Sequence, residues 1–120
     1  MPPAGVRRYN WDAMAWDPVT DAISRKIVTG EREMVAQIFL KKGAVVPEHD
    51  HESEQVTCVM SGLLTFEIGG EAIIVGPGDV LVIPSRVPHK ATATEDTFEM
   101  DLFSPIRQDW LDRTDDYFRR

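Results

Sequence analysis

Two histidines one residue apart, His49 and His51, and a glutamine four positions further on, Gln55, form the densest group of chemically capable side chains in this 120-residue sequence. If the segment runs as one extended strand, side chains alternate between faces, and the shared odd parity puts all three on one side. Two imidazoles and an amide oxygen are neutral donors that suit several divalent transition metals, Ni, Zn, Fe, Mn and Co among them, without selecting one. A further donor must come from elsewhere. The only other histidine is His89, beside a turn that contains Pro84 and Pro88. With all three histidines in or next to tight turns, one shared site is favoured over scattered surface positions.

The segment from Thr97 to Phe103 alternates cleanly, with Phe98, Met100 and Leu102 on one side and Glu99, Asp101 and Phe103 on the other. If the apolar trio packs outward, Asp101 and Phe103 face a cavity near the metal. A buried carboxyl beside a cation can serve as general acid or base, since burial raises its pKa and the cation lowers it. Periodicity alone favours a solvated or capping aspartate. The same alternation turns Lys90 away from the side that His89 faces and sets Cys58 opposite Gln55 as a small core residue. Thr57 and Val59 share the Gln55 face, as pocket lining or plain barrel filling. Glu48, Glu52 and Glu54 fall on the even, solvated parity unless a bulge near Pro47 resets it.

The elements that must hold these residues are short strands. Prolines and glycines punctuate runs rich in Val, Ile, Leu, Phe and Thr, which predicts an all-β chain. The expected strands are Ser24 to Val28, Met34 to Leu40, Val56 to Met60, Leu63 to Ile68, Glu71 to Val75, Val80 to Ile83, His89 to Ala93 and Thr97 to Phe103. Gly69 and Gly70 mark a tight two-residue hairpin, and Gly76 to Asp79 marks a second reversal. The first twenty or so residues and the last dozen follow neither strand period nor a long helical one. They carry Trp11, Trp16 and Trp110, which read as aromatic anchors docked on an end of the sheets or a dimer face. No chemistry is assigned to them.

Length predicts one domain over residues 1–120, with the expected strands spanning about 24–103 as its core. Twenty acidic against thirteen basic residues give a net charge of −7, which leaves no basic stripe for a nucleic-acid backbone. An anionic small molecule stays open, because local cations in a pocket can outweigh a screened surface. A lone cysteine and the lack of an apolar run near the roughly 20 residues of a membrane helix predict a reducing, cytoplasmic setting without membrane contact. Exposed strand edges favour a homodimer.

The order Gly43, five residues, His49, one, His51, three, Gln55, six, Gly62 resembles the first motif of the cupin family, with Gln where Glu is usual. Gly78, five residues, Pro84, then Arg86 and His89 resembles the second motif. The resemblance implies a double-stranded β-helix, a jelly-roll-like barrel with short irregular ends, and His89 as the last metal ligand. Gln55 keeps the ligand set neutral, so the ion retains its charge and favours an anionic substrate. Arg86, where glycine is common, is either a left-handed turn residue or a guanidinium aimed at the pocket, the former favoured. Ala93 replaces an Asn found in some cupins.

The run from Asp101 to Trp110, with TDDYF behind it, is similar to the C-terminal segment of KdgF-type cupins, which linearise 4,5-unsaturated uronates in pectin and alginate breakdown. That resemblance implies Asp101 and Phe103 at the active site, Arg107 contributing to it, and metal held by His49, His51, Gln55 and His89. It further implies a metal-dependent tautomerisation of an anionic sugar, with Asp101 moving the proton, Phe103 walling the sugar and Arg107 pairing with the carboxylate. For Arg107, a structural salt bridge holding the tail is equally open. An Fe(II) cupin dioxygenase and a non-catalytic metal- or ligand-binding module are the alternatives.

Overall fold

The computed structural model describes residues 2–119. Ten strands are arranged as β1 (Asp17–Pro18), β2 (Ile23–Thr29), β3 (Met34–Leu40), β4 (Val45–His49), β5 (Glu54–Ser61), β6 (Leu64–Ile68), β7 (Glu71–Val75), β8 (Val80–Ile83), β9 (His89–Ala93) and β10 (Thr97–Ser104). One helical turn, α1 (Gln108–Asp112), and short 3-10 turns at Trp11–Ala13 and Asp116–Arg119 complete the order. All pairings are antiparallel, in a six-stranded sheet ordered β1-β2-β3-β10-β5-β8 and a four-stranded sheet ordered β4-β9-β6-β7.

The two sheets close on a core set by period-two alternation. Met34, Ala36, Ile38 and Leu40 of β3 face Leu64 and Phe66 of β6 and Ala91 and Ala93 of β9, with Val59 and Ile83 filling between. Where β10 crosses the middle of the large sheet the inward positions change character. Thr97, Glu99, Asp101 and Phe103 all turn in, while Phe98, Met100 and Leu102 turn out. The core therefore becomes polar toward one end of the barrel.

Seven of the eight expected strands match to within a residue at each end; the expected Val56 to Met60 is longer, beginning at Glu54. The hairpin between β6 and β7 turns at Gly69 (φ 59°) and Gly70 (φ 79°), the paired positive angles that a two-residue turn of this hand requires. In the second reversal the Asp79 N–H donates to the Gly76 carbonyl at 3.0 Å. The Asp79 carboxylate accepts the Gly76 N–H at 2.9 Å.

Three elements depart from the sequence reading. β4 was not among the expected strands; it contains Pro47, which lacks a donor, and runs as an edge strand whose register slips between Val46 and His49. The two-residue β1 and the helical turn α1 are too short to show a period. The expectation that His49, His51 and Gln55 project from one strand face is overturned as well. β4 ends at His49 in the small sheet, His51 lies in the loop, and Gln55 opens β5 in the large sheet.

Gly62 follows β5 with φ 92°, and a Cβ there would collide with the Asp96 carbonyl and with Thr97. Gly43 has φ 90° with open space around it. Gly62→Ala is expected to cost about 3 kcal/mol and Gly43→Ala about 1 kcal/mol in denaturant unfolding. Equal losses in the two variants would show that backbone angle alone, and not the close approach, sets the requirement.

Candidate metal centre

His49 and His89 are cross-strand partners at the ends of β4 and β9, so the small sheet delivers both imidazoles to one spot. The loop after β4 brings His51 over them. It is anchored by the Arg86 N–H donating to the His51 carbonyl at 2.8 Å, and by the Ser53 hydroxyl donating to the Pro105 carbonyl at 2.6 Å. Arg86 itself sits in the left-handed region (φ 64°), with its guanidinium directed outward to Asp50 at 3.2 Å. It is thus a turn residue and does not point into the pocket. The nitrogens of His49, His51 and His89 able to bind a metal all lie within 4.8 Å of one another.

Each ring is oriented by its own backbone. The Nδ1 atoms of His49, His51 and His89 lie 2.9, 2.8 and 2.9 Å from the carbonyls of Pro47, Ser53 and Val87. Protonated at Nδ1, each neutral imidazole keeps its Nε2 lone pair for the common centre, the arrangement usual in metal-binding histidines. Burial is the largest influence on all three and lowers their pKa values, to about 3 for His49 and about 4 for His51. They are therefore uncharged at neutral pH, as ligands must be.

Gln55 is aligned from the opposite sheet by a chain of hydrogen bonds. The Thr57 hydroxyl donates to Asp101 Oδ1 at 2.7 Å, which leaves its lone pairs to accept Gln55 Nε2–H at 2.9 Å. The Gln55 amide oxygen is thereby turned to His51 Nε2, 3.1 Å away. With the His51 proton on Nδ1, two lone pairs confront each other across that gap. His89 Nε2 is buried with no hydrogen-bond partner. Both features fit a bound cation, which would convert an unfavourable arrangement of acceptors into a ligand set.

Behind the ligands a cavity of about 40 Å³ extends into the barrel, lined among others by His49, Gln55, His89, Asp101, Phe103 and Arg107. Desolvation pushes the Asp101 carboxyl up to about 6, against hydrogen bonds from Thr57 and Glu99 that lower it. Phe103 meets the edge of His51, with ring centroids 5.8 Å apart. Arg107 is buried, and its two-pronged pairing goes to Asp109 at 3.0 and 2.8 Å. Its Nη2 also donates to the Tyr117 hydroxyl at 2.9 Å.

Tyr117 is the residue that sequence reasoning missed. Its ring stacks on His49, 4.0 Å between centroids and 9° from parallel, closing the barrel mouth. Trp110 Nε1 donates to the same hydroxyl at 3.1 Å, and a buried Arg25–Asp115 pair at 2.7 Å pins the tail. Trp110 is thus buried in the wall of the site, whereas Trp16 is exposed, edge-on to Phe98. Lys90 points outward to Glu67, and Glu48, Glu52 and Glu54 are exposed. Cys58 is half-buried on the outer side of β5, less enclosed than a core position, while Thr57 and Val59 are fully inside.

A two-sheet antiparallel barrel with a histidine cluster at one mouth defines the class, and residues 37–105 match the cupin domain family (Cupin_2). The chain belongs to the cupin family and resembles KdgF. It is 36% identical to the KdgF structure from Halomonas sp., covering 85% of this chain and 97% of that one with a TM-score of 0.80. An RmlC-like cupin from Shewanella frigidimarina (24% identity, 85% and 93% covered, TM-score 0.80) shares the fold. So does the polyketide cyclase RemF from Streptomyces resistomycificus (18%, 85% and 80%, TM-score 0.71). No curated protein matches the sequence. Among the described residues no helix is long and apolar enough to cross a membrane.

Proposed function

We propose that this protein opens 4,5-unsaturated uronate monosaccharides to their linear keto forms, with His49, His51, Gln55 and His89 holding a divalent transition metal and Asp101, Phe103 and Arg107 serving the sugar. The observation that carries the reading is the chain Asp101–Thr57–Gln55, which couples a buried carboxyl of raised pKa to the neutral ligand cluster within one cavity. The 36% identity to KdgF supports it. A metal bound there supplies a Lewis acid for the substrate oxygens.

Ring opening moves one proton and breaks one C–O bond. The anomeric hydroxyl loses its proton, the ring C–O bond cleaves to give an aldehyde, and the released enolate takes a proton on carbon to become the ketone. Asp101, as carboxylate, accepts the first proton and returns one to the carbon, so the residue is regenerated. Phe103 walls the sugar, and Arg107, held by Asp109 through Nε and Nη2, offers its remaining Nη1 to the sugar carboxylate. The small cavity requires Tyr117 to leave His49 for a sugar ring to enter. Exposed Met60, Val80, Val82 and Leu102 on the outer face of the large sheet support pairing as a homodimer. A cytoplasmic setting, free of nucleic acid and membrane, is part of the same proposal.

The reading is tested by following the double-bond absorbance of an unsaturated uronate with metal-loaded and chelator-treated protein. Loss faster than the spontaneous rate with loaded protein alone, without oxygen uptake, is the expected result. Oxygen consumption would move the assignment to a dioxygenase, and no acceleration would leave a binding module.

A further inference from the structure

Glu99 is a buried carboxyl that the proposed chemistry leaves unused. It projects from β10 into the same cavity as Asp101, and the two are only 5% and 4% exposed. They sit two residues apart on the same inward face of β10, and a hydrogen bond between two carboxyls requires one of them to carry a proton. Among the described residues no lysine or arginine forms a salt bridge with either. Arg25, on β2 at the same cavity, is committed to Asp115, and Arg107 to Asp109. Cys58 on β5, the other titratable neighbour acting on Glu99, brings no positive charge. Glu99 Oε2 has no hydrogen-bond partner, a bearable state for a neutral carbonyl oxygen and a costly one for a carboxylate.

Two carboxyls placed this way share one proton. We propose that Glu99 remains un-ionised at neutral pH and donates its proton in a hydrogen bond to Asp101, acting as a positioning residue that keeps Asp101 an aimed carboxylate. The inference rests on Asp101 being the proton carrier. Burial, reinforced by the Asp101 charge, holds Glu99 well above the ordinary carboxylate range. Asp101 then accepts from Thr57 on one side and Glu99 on the other. With no cation at contact, these two hydrogen bonds, helped by the Arg107 charge, are what favour the ionised base against its burial.

Infrared spectra at pH 8 provide the first test. The C=O stretch of an un-ionised carboxylic acid is expected in wild type and in Asp101→Asn, and is lost in Glu99→Gln. A wild type without the band overturns the proposal. So does a band lost in Asp101→Asn, which would put the proton on Asp101; these two spectra decide even if Glu99→Gln fails to fold. This readout needs no substrate, so it stands apart from the uronate assay. The second test is the pH dependence of kcat/KM. Glu99→Gln, which can still donate, keeps the neutral-pH value within about threefold and its acid limb in place, whereas Glu99→Ala moves that limb up by about one pH unit. A limb that moves down in Glu99→Gln would mean that a negative neighbour had been removed, against the proposal.

Discussion

Asp101→Asn is expected to cut the catalysed linearisation by about 10²- to 10⁴-fold, the usual contribution of a positioned general acid or base. The substitution is nearly isosteric, and Asn Oδ1 can still accept the Thr57 hydroxyl that Asp101 accepts at 2.7 Å. The chain through Thr57 to Gln55 therefore survives, and metal content should stay at the wild-type level. What disappears is the group that carries the proton. The wild-type rate should rise with pH through about 6, because the reaction begins from the carboxylate and burial has raised the pKa to that value. The variant keeps only a residual rate and lacks that limb. Absorbance loss measured from pH 5 to 8 checks both points, and a variant as fast as wild type would remove Asp101 from the mechanism.

The barrel and the histidines that cluster at its mouth were legible in the sequence for a simple reason. Strand alternation and glycine turns are local, and β3, β7, β8 and β9 could be bounded from their own residues. Alternation on β10 correctly grouped Asp101 with Glu99 and Phe103 on one face, yet by itself it favoured a solvated Asp101, and the structure buries it. The same rule failed for His49, His51 and Gln55, because parity holds only within one unbroken strand. The chain leaves the small sheet after His49 and enters the large one at Glu54, so convergence comes from a loop closing between sheets. Fixed motif spacing conveyed the result without revealing that geometry. The tail was opaque for another reason. Tyr117 and Asp115 act through partners 68 and 90 positions away, His49 and Arg25, and nothing in the local pattern marks such pairs. Arg107 illustrates the limit. Its type and motif recommended a substrate carboxylate, yet its two-pronged pairing in this structure is with Asp109, two residues on.

His89→Ala carries the other large effect. His89 is 2% exposed, its Nδ1 is held by the Val87 carbonyl, and its Nε2 has no partner, so the ring is fixed with one lone pair directed at the site. Changes in groups that merely orient a ligand commonly cost 10- to 100-fold in metal affinity, so loss of a ligand is expected to cost at least about 100-fold. Metal analysis should find bound ion in wild type and almost none in the variant after buffer exchange. Thermal melting supplies a readout independent of turnover. Ion at about 100 times its dissociation constant stabilises the wild type by about 2.7 kcal/mol over the chelated protein, and the variant should melt at one temperature in both conditions. Lys90→Ala is the control, since that side chain lies one position on and points outward to Glu67. It should bind metal like wild type. A His89→Ala protein that retains both its ion and its metal-dependent rise in melting temperature would show that His49, His51 and Gln55 suffice, and that the unpartnered nitrogen serves something else.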